Sequence, residues 1–111
     1  VNISVEFETN STHVHQSLDD KAPMILEYLV KNPGAKLTIT GHTDNVGSET
    51  YNMELSCQRA EGVKNYLVEK FSIDAEHLIV KGAGSLEPIA DNSTLEGQLK
   101  NRRVMIQDCP E

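Results

Sequence analysis

Leu37-Thr38-Ile39-Thr40-Gly41-His42-Thr43-Asp44, followed four residues on by Ser48-Glu49-Thr50-Tyr51-Asn52-Met53-Glu54-Leu55-Ser56-Cys57-Gln58-Arg59-Ala60, decides the fold of this chain. Leu37 and Ile39 alternate with Thr38 and Thr40, the period of a strand with one buried face. Gly41 marks a turn that carries Asp44. Ser48 is placed to cap a long helix, and Glu49 and Glu54 lie near its positive end. Met53, Cys57, Ala60, Val63 or Lys64, Leu67 and Phe71 recur at helical spacing and are expected to form its inner stripe.

Upstream, Ile3, Val5 and Phe7 alternate with Ser4, Glu6 and Glu8, which reads as a first strand. The polar run Thr9-Asn10-Ser11-Thr12 ends it as a loop. Leu18, Ala22, Ile25, Leu26, Leu29 and Val30 then return with helical period, with Ser17, Asp19 and Asp20 supplying cap and first-turn acid. Pro23 requires that this helix start only shortly before it. Asn32-Pro33-Gly34 stops it.

Downstream, Ile73-Asp74-Ala75 connects to a third strand over residues 77–81, with Leu78 and Val80 on one face and Gly82-Ala83-Gly84 as its end. A polar excursion runs from Ser85 to Lys100, with Asp91-Asn92-Ser93 as the cap of a short helix from Thr94. Val104 and Ile106 pattern a fourth strand, reached through Asn101-Arg102-Arg103. Strands alternating with helices imply a two-layer α/β or α+β sandwich.

The 111 residues match one domain, 1–111, with one core. Ten basic against seventeen acidic residues give a net charge of −7, which argues against a phosphate-reading face and so against nucleic acid as a partner. No apolar run approaches the length of a membrane span, and no signal peptide is seen. The chain opens directly in a strand-like run, so it is read as a domain excised from a larger protein. Two cysteines, Cys57 and Cys109, make no disulfide framework, though a bridge between them is possible in an oxidising compartment.

Asp44 and Arg59 are the residues in this pattern with a chemistry of their own. Asp44 sits just past a strand end, where loops carry binding groups on a fixed scaffold. Arg59 lies roughly three turns into the helix. A bland reading has Arg59 snorkelling from the edge of the core to pair with a nearby acid. A functional reading has its guanidinium fork onto a carboxylate while Asp44 takes an ammonium, so that together they grip a zwitterion.

The motif set Gly41-His42-Thr43-Asp44, Tyr51-Asn52, Leu55-Ser56, Arg59-Ala60 and Asn101-Arg102-Arg103-Val104 resembles that of the OmpA-like peptidoglycan-binding domains, the C-terminal domains of outer-membrane proteins, peptidoglycan-associated lipoproteins and flagellar stator proteins. The resemblance runs from about Val5 to Ile106. It implies an α+β fold in β-α-β-α-β-(α)-β order, a mixed four-stranded sheet with helices packed on one face and the last strand antiparallel between the first two. It further implies non-catalytic binding of the peptidoglycan stem peptide through the zwitterionic centre of diaminopimelate. The parent would be an outer-membrane or envelope-anchored protein with this domain in the periplasm, attached through an upstream region. In the family the centre is held by residues that fall here on Asp44 and Arg59. Asn52, Thr43, Thr9, Asn10 and Arg102 correspond to further wall residues of the same pocket, and Arg103 to a strand residue.

Two departures stand out. Phe7-Glu8 replaces the Phe-Asp found after the first strand in many relatives, and Gly97-Gln98 replaces Gly-Arg. Asp44 and Arg59 are untouched by either. Other signals are weaker. His13 and His15 alternate in a loop with His42 elsewhere, and the flanking residues supply no third ligand at a recognised metal spacing. Gly82-Ala83-Gly84 lacks the lysine of a phosphate loop, and Ser56 lacks a paired histidine. No metal, cofactor or catalytic residue is therefore expected. The other classes open to the chain are a small cell-wall enzyme on the same scaffold and a protein-interaction domain with a degenerate pocket.

Overall fold

The computed structural model describes residues 2–7 and 17–108, the side chain of residue 17 excepted. The elements run β1 (Asn2–Glu6), α1 (Ser17–Lys31), β2 (Leu37–His42), α2 (Glu49–Phe71), a single 3-10 turn (Ala75–His77), β3 (Leu78–Gly84), α3 (Leu95–Asn101) and β4 (Arg103–Asp108). Four strands form one mixed sheet in the order β1-β4-β2-β3. β4 runs antiparallel to both β1 and β2, with Val5 opposite Val104 and Ile39 opposite Ile106, while β2 and β3 are parallel. The fold is α+β, with the last strand inserted between the first two.

Strand alternation sends Ile3, Val5, Phe7, Leu37, Ile39, Leu78, Val104 and Ile106 to one face, where all are buried. Leu18, Ala22, Ile25 and Leu29 of α1 and Ala60, Val63 and Leu67 of α2 complete one continuous core against them. Ser4, Glu6, Ile79, Lys81 and Gln107 fall on the opposite face and are exposed.

Several details depart from the sequence pattern. Val30 does not join the inner stripe of α1; it is 78% exposed, one position past the buried arc that ends at Leu29. Pro23 is the seventh residue of α1, deeper than a first-turn proline. It lies on the exposed side, where water can take the Asp19 carbonyl that loses its helical partner. The glycine run 82–84 does end the third strand, but as its last three residues rather than after a strand that stops at 81, and the pairing with β2 shifts register there, between Gly41 and His42. Thr94, rather than the residues before it, caps α3: its hydroxyl accepts from Gly97 N.

The stripe of α2 is also rotated. Its buried residues are Asn52, Leu55, Ser56, Arg59, Ala60, Val63 and Leu67, whereas Met53 is 36% exposed and Cys57 and Phe71 are half-buried. The C-terminal half packs by apolar contact, as its periodicity demands. The N-terminal half buries a polar arc about one residue out of step, because it rests on backbone rather than on side chains. A Cβ at Gly41 would lie 1.9 Å from the Ser56 carbonyl oxygen, and one at Gly82 2.3 Å from Cys57 Sγ. Glycine at these two positions lets the helix settle directly on β2 and β3.

Candidate functional site

The close seat of α2 brings its polar arc against the turn after β2. Ser48 caps the helix, its hydroxyl accepting from Tyr51 N at 3.1 Å. Ser56 Oγ, fully buried, donates to Met53 O at 2.7 Å and accepts from Gly84 N at 3.0 Å, stapling α2 to the end of β3. Thr43 N donates to Gly84 O at 2.8 Å, which fixes the turn to the same point. The side chains of Thr43, Asp44, Val46, Asn52, Leu55, Arg59 and Arg102 then line a cavity of about 50 Å³. That is room for roughly three to five waters, or a group the size of an ammonium and a carboxylate.

Asp44 is 5% exposed. Its Oδ1 accepts from Val46 N at 3.1 Å, an Asx turn that aims the carboxylate, and its Oδ2 accepts from Arg102 Nη1 at 3.1 Å. Arg102 follows α3 directly. Its Nε donates to Phe7 O at 3.0 Å, and its own carbonyl accepts from Phe7 N at 2.8 Å, so the end of the first strand and the end of α3 hold one another.

Arg59 is 1% exposed, the largest fully buried side chain among the described residues. Its Nη1 donates to His42 O at 3.2 Å, and its guanidinium carbon stands 5.2 Å from the centre of the Phe7 ring. Burial lowers its pKa to about 10; the Asp44 carboxylate acts the other way and the Arg102 charge adds to the lowering. The guanidinium therefore stays charged at neutral pH. Two guanidinium groups and one carboxylate converge on one hollow, a set of donors and acceptor able to receive an anion and a cation side by side.

Of the residues expected at the site, Asp44, Arg59, Asn52, Thr43 and Arg102 meet at this cavity. Thr9 and Asn10 lie outside the described residues, as do Glu8, His13, His15 and Cys109, so the first-strand wall and the Cys57–Cys109 bridge do too. Arg103 is a strand residue, 2% exposed. Three participants escaped the sequence reading. Leu55 and Val46 supply apolar wall, and Phe7 is both platform for Arg59 and acceptor for Arg102. Leu55 was findable: it falls three after Asn52 and four before Arg59, on their helix face. Phe7 was hidden because its part depends on a partner 95 residues away.

The consecutive residues Asn101, Arg102 and Arg103 serve three places. Asn101, fully buried, accepts from Ile89 N and Ala90 N and donates to Ala90 O and Asn92 Oδ1, which anchors the polar excursion. Arg102 faces the cavity. Arg103 turns to the opposite face of the sheet.

The OmpA family model matches residues 6–102. Outer membrane protein Omp38 of Acinetobacter baumannii is 39% identical over 102 residues, covering 92% of this chain and 29% of Omp38. Peptidoglycan-binding protein ArfA of Mycobacterium tuberculosis is 51% identical over 74 residues, covering 67% of this chain and 22% of ArfA. The chain thus spans less than a third of the length of either relative. The crystal structure of the peptidoglycan-associated lipoprotein from Burkholderia pseudomallei superposes with a TM-score of 0.87 at 25% identity, over 96% of this chain and 89% of that one.

Proposed function

The chain belongs to the OmpA family, and from that premise we propose that it is a non-catalytic peptidoglycan-binding domain that tethers a larger envelope protein to the cell wall from the periplasm. The relatives named for peptidoglycan binding or association support the ligand class. The partial coverage of longer relatives supports a domain acting within a larger protein. The observation that carries the reading is the convergence of Asp44, Arg59 and Arg102 on one small cavity between the β2–α2 turn and α3.

In this reading the ligand is the stem peptide, held by the free amino-acid end of diaminopimelate. Its ammonium meets Asp44 and its carboxylate meets Arg59 and Arg102, with Asn52 and Thr43 beside them and Thr9 and Asn10 completing the pocket. Leu55 and Val46 face the methylene chain. The cavity is too small for more than the head group, so single-site affinity is modest and firm attachment comes from many copies on one polymer. Turnover is not part of the proposal: the Ser56 hydroxyl is committed to Met53 O and Gly84 N. A muropeptide-release assay checks that half of it, and release of soluble fragments by the purified chain would overturn it.

The decisive experiment is a chemical-shift titration with two stem tripeptides, one carrying diaminopimelate and one carrying lysine. Lysine lacks the second carboxylate, so the lysine peptide is expected to bind about tenfold more weakly, the loss of one charge-assisted contact. Equal affinities would exclude recognition of the zwitterionic end.

A further inference from the structure

The face of the sheet away from the helices holds a groove of about 710 Å³. Thr38, Thr40, Ile79, Met105 and Gln107 contribute to its floor, and Glu87, Pro88 and Ile89 border it. His42 and Arg103 stand at the same end, as direct cross-strand neighbours in the β2–β4 register. Their burial is unusual for a face that is otherwise open to water: His42 is 5% exposed and Arg103 2%.

The hydrogen bonding of this pair is incomplete. Arg103 Nη1 donates to Asn101 O at 3.3 Å and Nη2 to Glu87 O at 3.0 Å, both neutral carbonyls. Its Nε has no partner, and neither has His42 Nδ1. These are the two buried side-chain nitrogens among the described residues left without one, and they belong to adjacent residues. No described carboxylate lies within ion-pair distance of Arg103. A guanidinium removed from water and hydrogen-bonded only to carbonyls, with the Glu87 carboxylate acting on it from beyond ion-pair distance, carries a desolvation cost that a bound anion would relieve. Lys81, opposite Thr40 on β3, adds a second positive charge to the groove, while the exposed Glu87 carboxylate opposes it.

We propose that His42 and Arg103 form a second binding site, on the face opposite the Asp44–Arg59 cavity, for a small oxyanion such as a carboxylate or phosphate group. Arg103 Nε–H and His42 Nδ1–H, in the tautomer that places the proton there, are the two donors. Lys81 supplies longer-range attraction. Both nitrogens are shielded from solvent, so the anion reaches them as the exposed Glu87–Pro88 segment shifts, breaking the hydrogen bond from Arg103 Nη2 to Glu87 O while Ile89 N stays on Asn101 Oδ1. The same shift moves the Glu87 charge away. With two hydrogen-bonding donors and one distant charge, affinity is about millimolar.

The test is a titration of the chain with sodium phosphate and, separately, sodium acetate at constant ionic strength, following the Arg103 Nε–Hε and His42 ring resonances. Both signals are expected to move saturably. Lys81→Ala and Glu87→Gln alter exposed side chains and leave the core intact. The first should raise the midpoint about threefold and the second lower it about threefold, the effect of one partly screened charge. A response to phosphate alone assigns the site to phosphate groups, and to acetate as well, to oxyanions generally. Absence of a saturable shift, or midpoints indifferent to both substitutions, would overturn the proposal. So would a long-lived water contact at Arg103 Nε–Hε that neither anion displaces, since a buried water would then be satisfying the pair.

Discussion

Arg102 Nη1 lies 3.1 Å from Asp44 Oδ2, joining the residue after α3 to the turn after β2 across 58 positions of sequence. Both side chains are largely shielded, at 12% and 8% exposure. The pair closes one side of the cavity and keeps the carboxylate aimed into it. In the proposed binding mode, a ligand ammonium at Asp44 would share the carboxylate with Arg102 rather than meet an idle charge.

Asp44→Asn keeps the shape of the turn and removes the charge. Retention on purified peptidoglycan is expected to fall at least about tenfold, and stability to drop by about 1–3 kcal/mol as Arg102 loses an ionic acceptor. Pull-down and urea denaturation read the two effects separately.

Arg59→Ala is expected to weaken stability as well as the proposed binding. It withdraws the donor to His42 O and the cation over Phe7 from a fully buried position. A loss of about 3–5 kcal/mol is expected, the range for truncating large buried side chains. Arg59→Lys fills much of the volume and should recover part of that stability without the forked contact. Equal melting temperatures for the unsubstituted chain and Arg59→Ala would show that the guanidinium is not a structural member.

Gly41→Ala drives a methyl into the Ser56 carbonyl at 1.9 Å, where backbone meets backbone and little can yield. Destabilisation by more than about 3 kcal/mol is expected, with loss of peptidoglycan binding as α2 lifts. Gly82→Ala meets Cys57 Sγ at 2.3 Å, a side-chain atom that can move, and Ser56 Oγ at 2.9 Å, which its two hydrogen bonds hold in place. Its effect should be smaller, and Cys57→Ala should relieve part of it in a double-mutant cycle.

His42 links stability to pH. Burial, reinforced by the Arg103 charge, lowers its pKa from 6.5 to about 4, with Glu87 acting the other way and Lys81 adding slightly to the fall. Between pH 6.5 and about 4 the unfolded chain binds a proton that the folded chain does not. Its contribution is thus full above 6.5 and disappears as pH falls through that window, by up to about 3 kcal/mol. Urea midpoints of the chain and of His42→Gln, measured across this range, should converge as the pH drops. A constant difference between them would contradict the linkage.

Ser48→Ala removes the cap that opens α2. A loss of about 1 kcal/mol is expected in denaturant melts, and Ser48→Asp should restore it.

The sequence by itself determined the elements, their order and the family motifs. Alternation at Ile3, Val5, Leu37, Ile39, Val104 and Ile106, and helical period at Leu18, Ala22, Ile25 and Leu29, are local records of which side faces oil. The tertiary structure alone decided what the polar residues do. Asn52, Ser56 and Arg59 are buried because glycine backbone at 41 and 82 receives the helix, a fact no hydrophobic stripe registers. Arg102 and Arg103, adjacent in the chain, part to opposite faces of the sheet because strand alternation begins between them. Asp44 meets Arg102, and Phe7 meets Arg59, only through the insertion of β4 between β1 and β2. Apolar burial is legible from neighbours a few residues away, whereas a buried charge is tolerable only where distant groups arrive to bond it, and those arrive with the fold.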